Sequence, residues 1–259
     1  MITETFDNRS HAIIQPQRKP NAIPVDACIM TFSYAIETFV KEHFSCEKIA
    51  SLWSATGETP IYRFWYKEKA FAFFKTHVGA PGCVASLEEC RMELDTEHFI
   101  VFGGAGCLNK EIARGKVMVP TAAYRDEGTS YHYAPAADYI SVKNATLVAE
   151  FMEENGLPYV LGKTWTTDAF FRETVNNFEK RKADGCISVE MECAALQAVC
   201  DFRGCQLYMF FTSGDLLDAP EWDARRKEGQ IKGTQHDAGH FDIALELAWY
   251  VTQRHSAEK

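Results

Sequence analysis

Hydrophobic residues fall along the chain in short continuous runs separated by amphipathic stretches. The runs rich in β-branched and aromatic residues predict strands over Ala27–Phe32, Ala70–Thr76, Phe99–Gly103, Lys116–Pro120, Tyr159–Thr164 and Leu207–Thr212. Several, such as Phe99–Gly103 and Leu207–Thr212, are apolar throughout rather than alternating, the pattern of strands covered on both faces in a parallel or mixed sheet. The stretches between them carry helix signals. Ser33–His43 follows the first strand, Ser86–Met92 opens on a Ser-Leu-Glu-Glu capping pattern, Ser141–Asn155 stops at Gly156 and Met191–Arg203 stops at Gly204. A last helix over 236–254 places Phe241, Ala244, Leu245, Ala248 and Val251 on one stripe that can dock on a sheet. This alternation defines an α/β fold. With no Pro/Gly/Ser-rich linker, composition break or repeat, it predicts one domain over 26–259, preceded by an N-terminal arm over 1–25.

Composition narrows the partners. Of 259 residues, 27 are Lys or Arg and 36 Asp or Glu, a formal net charge of −9, and no basic cluster interrupts the acidic excess. Nucleic acid and anionic lipid are therefore not expected as partners, because both are held by clustered Lys and Arg; a small molecule is. No window approaches the roughly 20 apolar residues that span a bilayer, and the opening residues lack a basic head followed by an apolar stretch, so a cytoplasmic location is expected. Nine cysteines with no CxxC pair form neither a disulfide framework nor a zinc ribbon, and no metal or organic cofactor is expected.

In open α/β sheets, ligands bind beyond the carboxyl ends of the strands, here Val78–Gly82, Gly103–Gly106, Thr166–Phe171, Glu190–Glu192 and Ser213–Asp218. The two glycine segments allow backbone amides to approach a ligand, but neither is a Walker A loop nor a complete dinucleotide fingerprint. Ser188-Val-Glu-Met-Glu192 places two carboxylates where an extended segment meets a helix of small residues, a pattern equally suited to helix-terminus charge and to ligand binding. Asp215 follows one helix and one strand later, so two acids reach one sheet edge, as sugar-hydroxyl binding and proton donation require. Thr166-Thr-Asp-Ala-Phe170-Phe-Arg172 adds an aromatic face on which a planar base can stack.

In this order the motifs, together with the Asp126–Pro135 stretch and Val189-Glu-Met-Glu192, resemble the nucleoside phosphorylase superfamily, the branch of uridine phosphorylase, hexameric purine nucleoside phosphorylase and methylthioadenosine nucleosidase. The resemblance implies a single α/β domain with a mixed, partly barrel-like central sheet flanked by helices. It also implies a homo-oligomer, dimer or hexamer, and N-glycosidic cleavage of a nucleoside with phosphate as co-substrate and no cofactor. It makes Glu192 and Met191, with Glu190 beside them, the ribose contacts, Phe170 the stacking ring and Asp215 the acid that assists a purine base to leave. Gly103, Gly104 and Ser213 become substrate-binding positions, and His11 a side chain that could reach a neighbouring subunit's sugar.

The chain departs from the family's phosphate site. Phosphorolytic members carry arginines where this chain has Met30–Tyr34 and Val101, and a hydroxyl residue where it has Gly104. Bidentate guanidinium partners of phosphate are thereby lost, and Arg63, Arg125 and Arg172 remain as substitutes that no motif places. Glu37, one helical turn on, is the candidate for activating water in a hydrolase. A phosphorylase favouring purines, a nucleoside hydrolase on the same scaffold and a non-catalytic nucleoside-binding protein are the expected alternatives.

Overall fold

The computed structural model describes residues 1–225 and 238–257. In chain order the strands are β1 (Ile23–Pro24), β2 (Ala27–Thr31), β3 (Glu47–Ser54), β4 (Gly57–Tyr66), β5 (Lys69–Lys75), β6 (Leu94–Asp95), β7 (His98–Cys107), β8 (Val117–Asp126), β9 (Tyr139–Ser141), β10 (Tyr159–Thr167), β11 (Cys186–Glu190) and β12 (Gln206–Leu216). The helices are α1 (Tyr34–His43), α2 (Ala80–Glu93), α3 (Ala145–Glu154), α4 (Val175–Ala183), α5 (Cys193–Arg203) and α6 (Ala238–Ala257).

One mixed sheet organises the chain, ordered β11-β10-β8-β12-β7-β2-β5-β4-β3. Antiparallel pairing of β11 with β7, Ser188 opposite Cys107 and Val189 opposite Gly106, closes its first five strands into a barrel. Closure needs a glycine at 106: a Cβ there would lie 2.8 Å from Val189 Cγ1 and 2.9 Å from Leu217 Cδ1, closer than side chains pack. The central strands are apolar because both faces are covered; every residue of β2 is buried. The α6 stripe ends against aromatic rings, Phe241 lying within 6.5 Å of Phe39, Phe44, Phe64, Phe73 and Phe102, centroid to centroid.

The structure moves several predicted boundaries. β7 and β12 run past their expected ends, so Gly103–Gly106 and Ser213–Asp215 are strand, not loop. α2 begins at Ala80 rather than Ser86: Gly79 is its N-cap, Pro81 occupies the first turn, and the Ser86 hydroxyl bonds back to the Gly82 carbonyl at 2.9 Å. Glu88, in the same Ser-Leu-Glu-Glu stretch, pairs with Arg203 at 2.7 Å and Arg91 at 3.3 Å. α3 starts at Ala145 because Tyr139–Ser141 pair with β8. The β3–β4 hairpin, β11 and α4 are additional elements, the hairpin burying only Leu52, Ile61 and Phe64 while Trp53 and Trp65 stay exposed. Ahead of the sheet, Arg18 pairs with Asp95 and Glu97, Lys19 with Glu93, and Thr5 donates to the Tyr131 carbonyl, leaving 7–15 of the N-terminal residues exposed between two anchors.

Candidate active site

The carboxylates of the strand-to-helix turn have different surroundings. β11 ends at Glu190, and α5 begins three residues later with Glu192 as its N-cap. Glu190 Oε2 accepts the backbone amides of Glu192 and Cys193, both at 2.7 Å, while Oε1 accepts the hydroxyls of Thr166 at 2.5 Å and Thr164 at 3.4 Å. Thr166 Oγ1 also accepts the Ala194 amide at 3.1 Å, so this buried carboxylate caps α5 and fastens it to β10. The resemblance places Glu190 among the substrate contacts, whereas in the structure both its oxygens are spent on groups of the protein itself. Burial pushes its pKa up to about 7, and the Thr166 and amide hydrogen bonds oppose the rise.

Glu192 is 6% exposed and reaches across to α2, where the Gly79 amide donates to its Oε1 at 2.6 Å. Gly79 has φ +93°, a conformation that L side chains rarely adopt. Burial first, then the Glu190 charge, pushes Glu192 up to about 8, against the pull of the Gly79 and Met191 amides. A buried carboxylate fixed on amide donors is suited to accept hydroxyl groups, whose donation favours its ionised form. Met191, half-buried, lies between the two acids.

A second group gathers at the ends of β10 and β12. Phe170 opens a 3₁₀ turn, Phe170–Arg172, fixed where Thr167 Oγ1 accepts the Ala169 amide at 3.3 Å. Its ring is 51% exposed and lies 4.0 Å from that of Phe171, centroid to centroid. Asp215, near the end of β12, accepts the Trp222 indole N–H on Oδ2 at 2.7 Å. Glu173, at the end of the Phe170 turn, is half-buried, and burial followed by the Asp215 charge pushes its pKa up to about 7. Glu173 and Trp222 belong to no motif of the sequence. An acid directly after the aromatic turn was a usable signal for the first, whereas nothing in the spacing marks the second.

The remaining candidates scatter. Gly103 faces Phe32, whose ring would lie 2.9 Å from a Cβ there, and so serves packing. Gly104 lines a cavity of about 30 Å³ with Arg114, Thr212, Ser213 and His240. Ser213 is buried and its hydroxyl accepts Arg225 Nη1 at 3.0 Å. His11 is exposed on the N-terminal arm and makes no hydrogen bond among the described residues. Of the substitute arginines, Arg63 pairs with Glu47 at 2.7 Å, and Arg125 is spent on Ser130 and the Pro135 and Ala134 carbonyls. Arg172 is exposed beside Phe171; among the described residues, Arg114 lines the Gly104 cavity and Arg225 reaches the Ser213 hydroxyl. Glu37 lies in the first turn of α1, where its amide bonds to the Ser33 carbonyl. A cavity of about 260 Å³ lies between the hairpin tip and α2, lined by Trp53, Thr56, His77 and Glu89 but by none of Glu192, Phe170 or Asp215. Among the described residues no group of three or more His, Cys, Asp or Glu could hold a metal, and no helix is long and apolar enough to cross a membrane.

A closed barrel extended by a mixed sheet is a fold shared with a solved purine nucleoside phosphorylase. A purine nucleoside phosphorylase from Toxoplasma gondii, solved in complex with immucillin-H, superposes with a TM-score of 0.71 over 93% of this chain and 96% of its own, at 18% identity. The chain belongs to the phosphorylase superfamily, whose family model matches residues 27–238. Similar sequences include a DeoD-type purine nucleoside phosphorylase of Bacillus cytotoxicus, 24% identical over 83% of this chain and 88% of its own. Another, from Exiguobacterium sibiricum, is 23% identical over 75% and 82%.

Proposed function

We propose that the protein is a nucleoside phosphorylase that cleaves the N-glycosidic bond of a purine nucleoside, transferring the ribosyl group to phosphate. The observation that carries this reading is the buried Glu192, held by the Gly79 amide at the α5 N-terminus, at the same end of the parallel β10–β11 pair as the Phe170 turn. Glu192 and Met191 hold the ribose, Glu192 accepting its 2′ and 3′ hydroxyls, so that negative charge faces the oxocarbenium-like sugar of the transition state. Phe170 stacks on the base, and Asp215 lies at the base end, where charge develops as the bond breaks. Phosphate is held by the cationic side chains near Gly104, Arg114 and Arg225, in place of the arginines the chain lacks. The named relatives support the purine preference.

The test is chromatography of purine and pyrimidine nucleosides incubated with the enzyme, with and without phosphate. Free base and ribose 1-phosphate that appear only with phosphate are the expected result. The buried Val101 and the side-chain-free Gly104 favour a second reading, hydrolysis. Free ribose released in phosphate-free buffer would establish it, and binding without turnover in either buffer would leave a nucleoside-binding protein.

A further inference from the structure

The cavity of about 260 Å³ between the hairpin tip and α2 takes no part in the candidate active site. It is just under the roughly 300 Å³ at which ordinary small-molecule sites begin, so its occupant is a single ring or a short alkyl chain. Part of its wall is the Trp53 indole, 68% exposed near the end of β3. Another part is one face of α2, where Gly82, Ala85, Ser86 and Glu89 recur at helical spacing. Hydrogen bonds fix where the protons of the polar groups point. The Ser86 hydroxyl donates to the Gly82 carbonyl at 2.9 Å, so it accepts at its 3.1 Å contact with His77 Nδ1, which must then carry the ring proton. Nε2 of the neutral ring accepts from Thr56 Oγ1 at 3.1 Å, and Thr56 in turn accepts from the Ser54 hydroxyl at 2.7 Å. Every proton of this chain is committed to a neighbour, which leaves the cavity lone pairs and no donors from these groups. Glu89 adds a negative charge. It is half-buried, has no hydrogen-bond or ion-pair partner among the described residues, and no Lys or Arg of those residues lines the cavity. The neighbouring acids differ, Glu88 being held by Arg203 and Arg91 and Glu58 by Lys48.

We propose that this cavity binds a small primary ammonium compound with an apolar body, its ammonium on the Glu89 carboxylate and its body against the Trp53 indole. A carboxylate without a cation, acceptors without spare protons and an exposed indole together select a positive charge that carries N–H groups. An anion would meet Glu89 and no donor, and a neutral ligand would leave the carboxylate without a counter-charge. None of Glu192, Phe170 and Asp215 lines the cavity, so this site stands apart from the phosphorolytic reading and does not depend on it.

The experiment is isothermal titration calorimetry with phenethylamine, a primary ammonium on an aromatic body, and with 2-phenylethanol, its neutral counterpart of nearly the same size. Wild type should bind phenethylamine saturably at one site per chain, and the alcohol about tenfold more weakly or worse. Glu89→Gln keeps the size of the side chain and should bring the amine down to the level of the alcohol. Trp53→Ala should weaken the amine by about tenfold, through the lost cation–π contact and apolar wall. Glu58→Gln, which alters an acid of the same hairpin already paired with Lys48, should leave binding unchanged. Absence of saturable binding by wild type, or equal affinity for amine and alcohol, would overturn the proposal. Equal losses in Glu89→Gln and Glu58→Gln would also overturn it, because they would mark general attraction of a cation to an acidic chain. Sedimentation velocity guards against one further occupant: if Trp53→Ala and Glu89→Gln turn an oligomer into monomers and no amine binds wild type, the cavity belongs to a second copy of the chain and the proposal fails.

Discussion

At the scale of single residues, burial makes the Glu192 carboxylate a source of pH-dependent stability. Its proton leaves near 4.5 in the unfolded chain but is held to about 8 in the fold. Between those values the folded state binds more protons than the unfolded one, so stability falls as pH rises across the window and the loss is complete above about 8. Glu192→Gln keeps an acceptor for the Gly79 amide but removes the charge. Urea unfolding of this variant should be flatter between pH 5 and 8 than that of wild type, and at pH 8 it should be more stable by about 2 kcal/mol. The same variant should lose about a thousandfold in kcat/KM, because a neutral amide no longer faces the positive sugar. A variant less stable than wild type at pH 8 would contradict the pH argument. The Glu-Met-Glu motif made both acids legible, but not their division of labour: whether a carboxylate faces a ligand or caps a helix depends on the amides and hydroxyls around it, and Glu190 meets Thr164 and Thr166 only once β10 lies beside β11.

At the scale of elements, the join between β10 and α5 fixes the turn that carries Glu192. Thr166 donates to Glu190 and accepts from Ala194, so its hydroxyl links a strand, a carboxylate and a helix terminus. Thr166→Val is nearly isosteric and leaves the Ala194 amide and one Glu190 oxygen without that partner, which should cost about 1–3 kcal/mol and lower kcat/KM by shifting Glu192. Thr166→Ser should recover most of both, which denaturation midpoints and steady-state rates measure. The central strands β2, β7 and β12 were legible because burial on both faces leaves continuous apolar runs. The β3–β4 hairpin was not, since its polar residues and two exposed tryptophans carry little periodicity. Barrel closure came from the family resemblance and from no local pattern: it depends on Gly106 meeting Val189 across the sheet, a long-range fit.

At the scale of the whole molecule, the N-terminal arm raises the question of whether one chain makes a complete site. Its exposed span lies between the Thr5 anchor and the Arg18 ion pairs, and it presents Ile13 at 101% and Ile14 at 88% exposure beside His11. Apolar side chains so displayed favour burial against a second copy of the chain, consistent with the oligomer that the family resemblance implies. If the arm crosses to a partner and His11 reaches the partner's sugar, His11→Ala lowers kcat/KM by about tenfold, the worth of one hydrogen bond to a charged or polarised group. Mixing then separates an exchanged arm from a local one. When His11→Ala and Glu192→Gln chains are dissociated together and reassociated as dimers, half of the dimers are mixed, and each mixed dimer holds one site with both side chains intact. Activity then rises to about a quarter of wild type. Sites built from one chain alone would give only the mean of the two variants. A value at that mean would return His11 to the surface of its own subunit and leave the catalytic groups of the barrel self-sufficient.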